Sequence, residues 1–200
     1  MKLYYSNPSP FARKARICLY EAGLEDRIEQ VSVDPWADPE GFRDLNPFGR
    51  VPTLELDDGS SLFQSNVVCE YFDGLSQSAN LFPVEQDRRF HALKLLGISD
   101  NLLDCCIVQR MEQRFHPDDR ADQLFDRQSY SIDLALDTLE AEVRAWPNDI
   151  DIGTIAIAVA LDYRTFRFPE LDWRPARNNL VSWHREFITR PSMITTEFID

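Results

Sequence analysis

Positive charge is scarce in this chain. Of 200 residues, 21 are Lys or Arg against 34 Asp or Glu, giving a net charge of −13. A surface of that sign repels nucleic acid and anionic membrane, so neither is an expected partner. Lysine is confined to Lys2, Lys14 and Lys94. Cysteine is limited to Cys18, Cys69, Cys105 and Cys106, with no CxxC pair. That pattern offers neither a disulfide framework nor a thiolate metal site, and it fits a reducing compartment. The apolar helical settings of Cys18, Cys69 and Cys105 point to core thiols. His91, His116 and His184 lack metal-ligand spacing, so no metal is expected. No stretch reaches the about 18 apolar residues of a membrane span, and the first residues lack the apolar run of a signal peptide. The expected location is the cytoplasm. Neither an internal repeat nor a low-complexity tract is present.

Hydrophobic residues make up 44% of the chain and aromatic residues 12%, enough for the core of one or two domains. The first part alternates element types. Lys2-Leu3-Tyr4-Tyr5 reads as a strand, followed by the turn cluster Ser6-Asn7-Pro8-Ser9. A helix runs from Phe11 to about Ala22, with Ser9 as N-cap, Pro10 suited to its first turn and Gly23 stopping it. Ile28 to Val33 alternates as a second strand. Thr53-Leu54-Glu55-Leu56 and the residues after Asp57-Asp58-Gly59 form a hairpin, and a helix opens at Ser65. This order implies a small mixed sheet with helices on both faces. Beyond residue 87 strand signals vanish. Long helices fit 88–114 and 123–146, and Ile152, Ile155, Ala156, Val159, Ala160 and Tyr163 share the helical spacing of a buried central helix.

Two features of the first part point to ligand chemistry. Pro52 sits at the mouth of its strand, where it donates no ladder bond. A bend there turns the Val51 main chain away from the sheet and toward an extended peptide. A cis or a trans Val51–Pro52 bond is compatible with the residues. Across the hairpin, the helix opening at Ser65 offers orphan N–H groups and partial positive charge, which capture carboxylates. Together they suit a short acidic peptide.

Val51-Pro52, a hairpin, then Gln64-Ser65 at a helix start resembles the glutathione-binding half of the cytosolic glutathione transferases. Ser9-Pro10-Phe11-Ala12-Arg13-Lys14 is similar to the Ser-Pro-Phe-x-Arg-Lys run of their serine-type bacterial members. The buried helix and the terminal Arg190-Pro191-Ser192-Met193 extend the resemblance along nearly the whole chain. The resemblance implies an α/β thioredoxin-like N-terminal domain at residues 1–78, a linker at 79–87 and an all-α helical bundle at 88–200. One departure is that the central helix opens with Asp151-Ile152-Gly153-Thr154, acid and hydroxyl exchanged relative to the family's capping box. Thr154 is expected to reach back less well than a carboxylate.

The resemblance implies a dimeric enzyme in which Ser9 activates the thiol of glutathione for attack on a small electrophile, without metal, in detoxification. A free thiol, with pKa about 8.5, is mostly protonated near neutral pH, so a hydrogen-bond donor is needed. Tyr5 is the rival for that role and Ser6 the third choice. Val51, Gln64, Ser65, Arg50 and Trp36 are the implied glutathione-binding residues. Gln64 stands where many members carry Glu and lacks the charge that pairs with the ligand's amine. Phe11, Arg110 and Met111, with Cys106, are the implied electrophile pocket. Phe48 is placed either in a partner subunit of a homodimer or within its own domain. The alternative is a non-catalytic glutathione-transferase-like protein that binds RNA polymerase or carries a ligand. Cysteine-type thiol oxidoreductase chemistry is disfavoured because no cysteine occupies the start of the first helix.

Overall fold

Leu3 and Leu54 lie opposite each other in adjacent strands and are both fully buried. They mark the centre of a four-stranded sheet ordered β2-β1-β3-β4 in the computed structural model, which describes residues 1–119 and 121–199. β1 (Lys2–Tyr5) runs parallel to β2 (Glu29–Ser32) and antiparallel to β3 (Thr53–Glu55), and β3 pairs with β4 (Ser61–Phe63) in a hairpin. The turn between them places Gly59 at φ 84, a conformation that glycine adopts without steric cost. Tyr4, on the other face of β1 from Leu3, packs its ring on Phe42 of α2 (Phe42–Leu45) at 5.7 Å.

α1 (Pro10–Glu21) and α3 (Ser65–Leu75) pack on each other. Ala12, Ala15, Cys18 and Leu19 from one, and Val68, Cys69 and Phe72 from the other, are fully buried. The Cys18 and Cys69 thiols hydrogen-bond there, and burial pushes the Cys18 thiol well up. The first compact unit is Met1–Arg89 together with the C-terminal segment from Arg190. That segment carries α8 (Pro191–Thr195), which packs on α1. Ser192 donates to Glu21 at 2.6 Å and Arg13 donates to the Met193 carbonyl at 3.2 Å. The sequence places this segment with the helical half; its polar partners on α1 draw it into the first unit instead.

The second unit is Phe90–Thr189. It is built from α4 (Gln86–Phe115), α5 (Asp122–Glu142), α6 (Ile152–Arg167) and α7 (Asn178–Phe187). Every residue from Ile152 to Leu161 is buried. Gly153 makes this possible, because a Cβ there would lie 2.5 Å from the Ala92 carbonyl oxygen of α4. Asp151 accepts from the Thr154 N–H at 2.9 Å, and Thr154 Oγ1 accepts from the Asp151 N–H at 3.0 Å. The exchanged capping box is therefore complete, and the expected shortfall of Thr154 is absent. Glu140 of α5 receives the Asn179 and Leu180 N–H groups, closing the start of α7 from outside the helix. Cys106 is the core-facing member of the cysteine pair and Cys105 is half-buried, the reverse of the sequence expectation. Adjacent helical positions differ by about 100°, so an error of one position in the helical phase exchanges them.

Candidate functional site

The ends of three strands bring the site together in the first unit. Thr53 pairs with Phe63 and with Tyr4. The sheet edge thus collects the loop after β1, the loop before β3 and the start of α3.

The Val51–Pro52 peptide bond is cis. Val51 lies outside the ladder, and its main chain makes no hydrogen bond among the described residues. Its loop is held by Asn46, a residue sequence reasoning did not single out. Asn46 is 2% exposed and its Nδ2 donates to the Arg50 carbonyl and to Thr53 Oγ1, both at 2.9 Å. Its Oδ1 accepts from the Phe48 N–H at 3.1 Å. The signal was an Asn-Pro pair opening a loop, since Asn bonds backbone two residues on. Arg50 is exposed, and its side chain makes no hydrogen bond among the described residues.

Gln64, not Ser65, caps α3. Its Oε1 accepts from the Asn66 N–H at 2.6 Å, and its backbone sits at φ 75, unusual for a residue with a Cβ. Ser65 consequently occupies the first helical turn. It is 3% exposed, and neither its N–H nor its hydroxyl has a partner among the described residues. A donor pair without a partner at a helix N-terminus is suited to an anion. Lys14 adds charge to it. Its side chain is fully buried, and Nζ donates to Asn66 Oδ1 at 2.7 Å, tying α1 to the first turn of α3. Sequence reasoning quoted Lys14 without a role, because lysine is rarely buried.

Ser9 is the N-cap of α1, and its Oγ accepts from the Ala12 N–H at 3.2 Å. That contact uses a lone pair and leaves the hydroxyl proton for donation. The Ser6 carbonyl accepts from the Ser9 N–H at 3.1 Å. Tyr5 has its ring under the Arg16 guanidinium at 4.2 Å, a contact one and a half helical turns beyond Pro10. Trp36 is 59% exposed in the loop after β2, its N–H bonded to Asp34 at 2.9 Å. Phe48 is 66% exposed and meets the Phe63 ring edge-on at 6.0 Å. Phe11 belongs to α1 in the first unit, with Lys14 Nζ 5.6 Å from its ring centre. Arg110 and Met111 belong to α4 in the second unit. Among the described residues no cluster of three or more metal-ligating side chains occurs, and no helix is long and apolar enough to cross a membrane.

Comparison with known proteins gives this geometry a family. The sequence model of the glutathione S-transferase N-terminal domain matches residues 8–75. The uncharacterized GST-like protein YibF of Escherichia coli is 29% identical over 200 residues, covering 98% of each chain. A glutathione transferase family member from Pseudomonas fluorescens Pf-5, solved with bound glutathione, superposes with a TM-score of 0.94. It is 32% identical and covers 100% of this chain and 99% of its own. A structure of a family member from that organism with bound S-(propanoic acid)-glutathione gives 0.90 at 31% identity, covering 100% of both. Sharing its fold and about a third of its residues over its entire length with such a protein, the chain belongs to the glutathione transferase family.

Proposed function

We propose that the protein is a glutathione transferase in which Ser9 stabilises the glutathione thiolate for attack on a small electrophile. The observation that carries this reading is the Ser65 N–H and hydroxyl at the start of α3 and the Val51 main chain before β3, all without a partner among the described residues. A γ-glutamyl carboxylate satisfies the first and an extended cysteinyl backbone the second. Gln64 holds the γ-glutamyl end alongside Ser65. Arg50 meets the glycyl carboxylate and Trp36 flanks it. The glutathione bound in the Pseudomonas fluorescens family member supports the ligand.

Ser9 donates its free hydroxyl proton as a hydrogen bond to sulfur while its Oγ lone pair keeps the helix cap. The thiol proton passes to solvent. The thiolate then forms the carbon–sulfur bond, and the leaving group departs with the electron pair. The Arg16 contact occupies the Tyr5 ring, which favours Ser9 over Tyr5 as the donor. Phe11, on α1, faces the electrophile. The ligand of the second Pseudomonas fluorescens structure carries an acid on the substituent at sulfur, which fits an electrophile of that kind. The working form is a cytoplasmic homodimer whose contacts include the exposed Phe48, and its role is detoxification.

The test is a calorimetric titration with glutathione across pH, following thiolate absorbance. The expected result is binding with the thiol pKa drawn well below its free value of about 8.5. Binding without that shift makes the protein a non-catalytic carrier, and no binding removes glutathione from its function.

A further inference from the structure

In a chain with a net charge of −13, two arginines of the second unit stand without an acid. α4 presents Cys106 and Arg110 one turn apart, and α6 presents Tyr163 and Arg167 one turn apart. These faces meet. The Arg167 guanidinium hydrogen-bonds the Tyr163 phenol, and Arg110 acts on the same phenol through its charge. Arg164 is 5% exposed. Its Nη1 donates to Gln109 Oε1 at 2.8 Å, and its guanidinium lies 4.7 Å from the centre of the Phe168 ring. Its charge also acts on the Cys106 thiol, which burial pushes up to about 12.

None of these partners is a carboxylate, and Arg164 Nε is buried with no hydrogen-bond partner. Arg110, half-buried, makes no hydrogen bond or ion pair among the described residues. A guanidinium taken from water without a counter-ion is costly, and the chain has acids in excess that could have paired it. Gln109 shows that the arrangement is held in place. Its Nε2 donates to the Phe125 carbonyl at 3.1 Å and to Ser129 Oγ at 2.8 Å, which turns its oxygen toward Arg164. A planar anion bound by Arg110 supplies the missing counter-charge, and the guanidinium fork matches a carboxylate.

We propose that this face of the second unit binds the carboxylate of a small organic acid. Arg110 makes the contact, and Arg164 is a positioning residue that supplies field.

The test titrates the full chain, without glutathione, with benzoate and with benzamide, its neutral counterpart of similar shape. Benzoate is expected to bind about tenfold tighter or more, the usual scale for a hydrogen bond to a charged group. Arg110→Gln should abolish the preference and Arg110→Lys should restore part of it. Equal affinities, a preference unchanged in Arg110→Gln, or displacement of benzoate by equimolar inorganic phosphate overturns the carboxylate site. Glutathione is titrated in parallel. Glutathione binding without a carboxylate preference overturns this inference and leaves the transferase reading intact. A carboxylate preference without glutathione binding supports the site and overturns the transferase reading.

Discussion

The fully buried ammonium of Lys14 donates to Asn66 Oδ1 at 2.7 Å, so the second turn of α1 holds the first turn of α3. A cation placed beneath the free amides of a helix start strengthens its pull on an anion, since both fields add and burial weakens screening. Lys14→Met keeps the length of the side chain and removes the charge and the donor. Glutathione affinity should fall by about 1–3 kcal/mol, the range for losing a hydrogen bond to a charged group. Calorimetry reads it, and an unchanged affinity would show that the carboxylate lies elsewhere.

Ser9 has two separable tasks. Ser9→Ala loses the cap on the Ala12 N–H and the donation to sulfur together. It should lower stability by about 1 kcal/mol and raise the pKa of bound glutathione. Ser9→Asp keeps a side-chain acceptor for the cap and places a negative charge where the thiolate forms. Its thermal midpoint should match the parent while conjugation of an aryl halide collapses. If Ser9→Asp retains turnover, the hydroxyl is not the activating group.

The Ser65 donors make a simpler case. Ser65→Ala removes a hydroxyl that has no partner among the described residues, so protein stability should hardly change. Glutathione binding should weaken by about 1–3 kcal/mol. Loss of stability with unchanged binding would mean that the hydroxyl serves the fold.

Gly153 tests the packing of the second unit. A methyl group there would meet the Ala92 carbonyl at 2.5 Å and Leu95 Cβ at 2.7 Å, both too close. Gly153→Ala should cost about 1–3 kcal/mol through forced separation of α4 and α6, despite the better helix propensity of alanine. Urea unfolding followed by tryptophan fluorescence checks this, and a stabilised variant would contradict the close approach.

Much of this was legible from residue order. Ser9-Pro10 announces a helix start because the hydroxyl accepts an orphan amide and proline needs no donor. Thr53-Leu54-Glu55-Leu56 reads as a strand because its apolar and polar residues alternate. Other parts were not legible. Gln64 is a poor N-cap by preference, and Ser65 hid it. Only the backbone at φ 75 lets the Gln64 side chain reach the Asn66 amide. Asn46 looked like an ordinary turn residue, yet it clamps the Val51 loop through bonds to Arg50 and Thr53. The C-terminal segment joined α1 through Glu21 and Arg13, contacts spanning most of the chain.

By itself, the sequence determined the element order, the mixed sheet followed by helices, and the short motifs at Ser9, Val51-Pro52 and Gln64-Ser65. These depend on local preferences and on periodicities of two and 3.6 residues, which operate within a few positions. Tertiary structure alone decided that Lys14 is buried and donates to Asn66, and that Ser65, Arg110 and Arg164 have, among the described residues, no partner for the first and no acid for the other two. Each depends on which side chains long-range packing brings together, and on which polar groups it leaves for something outside the chain to satisfy.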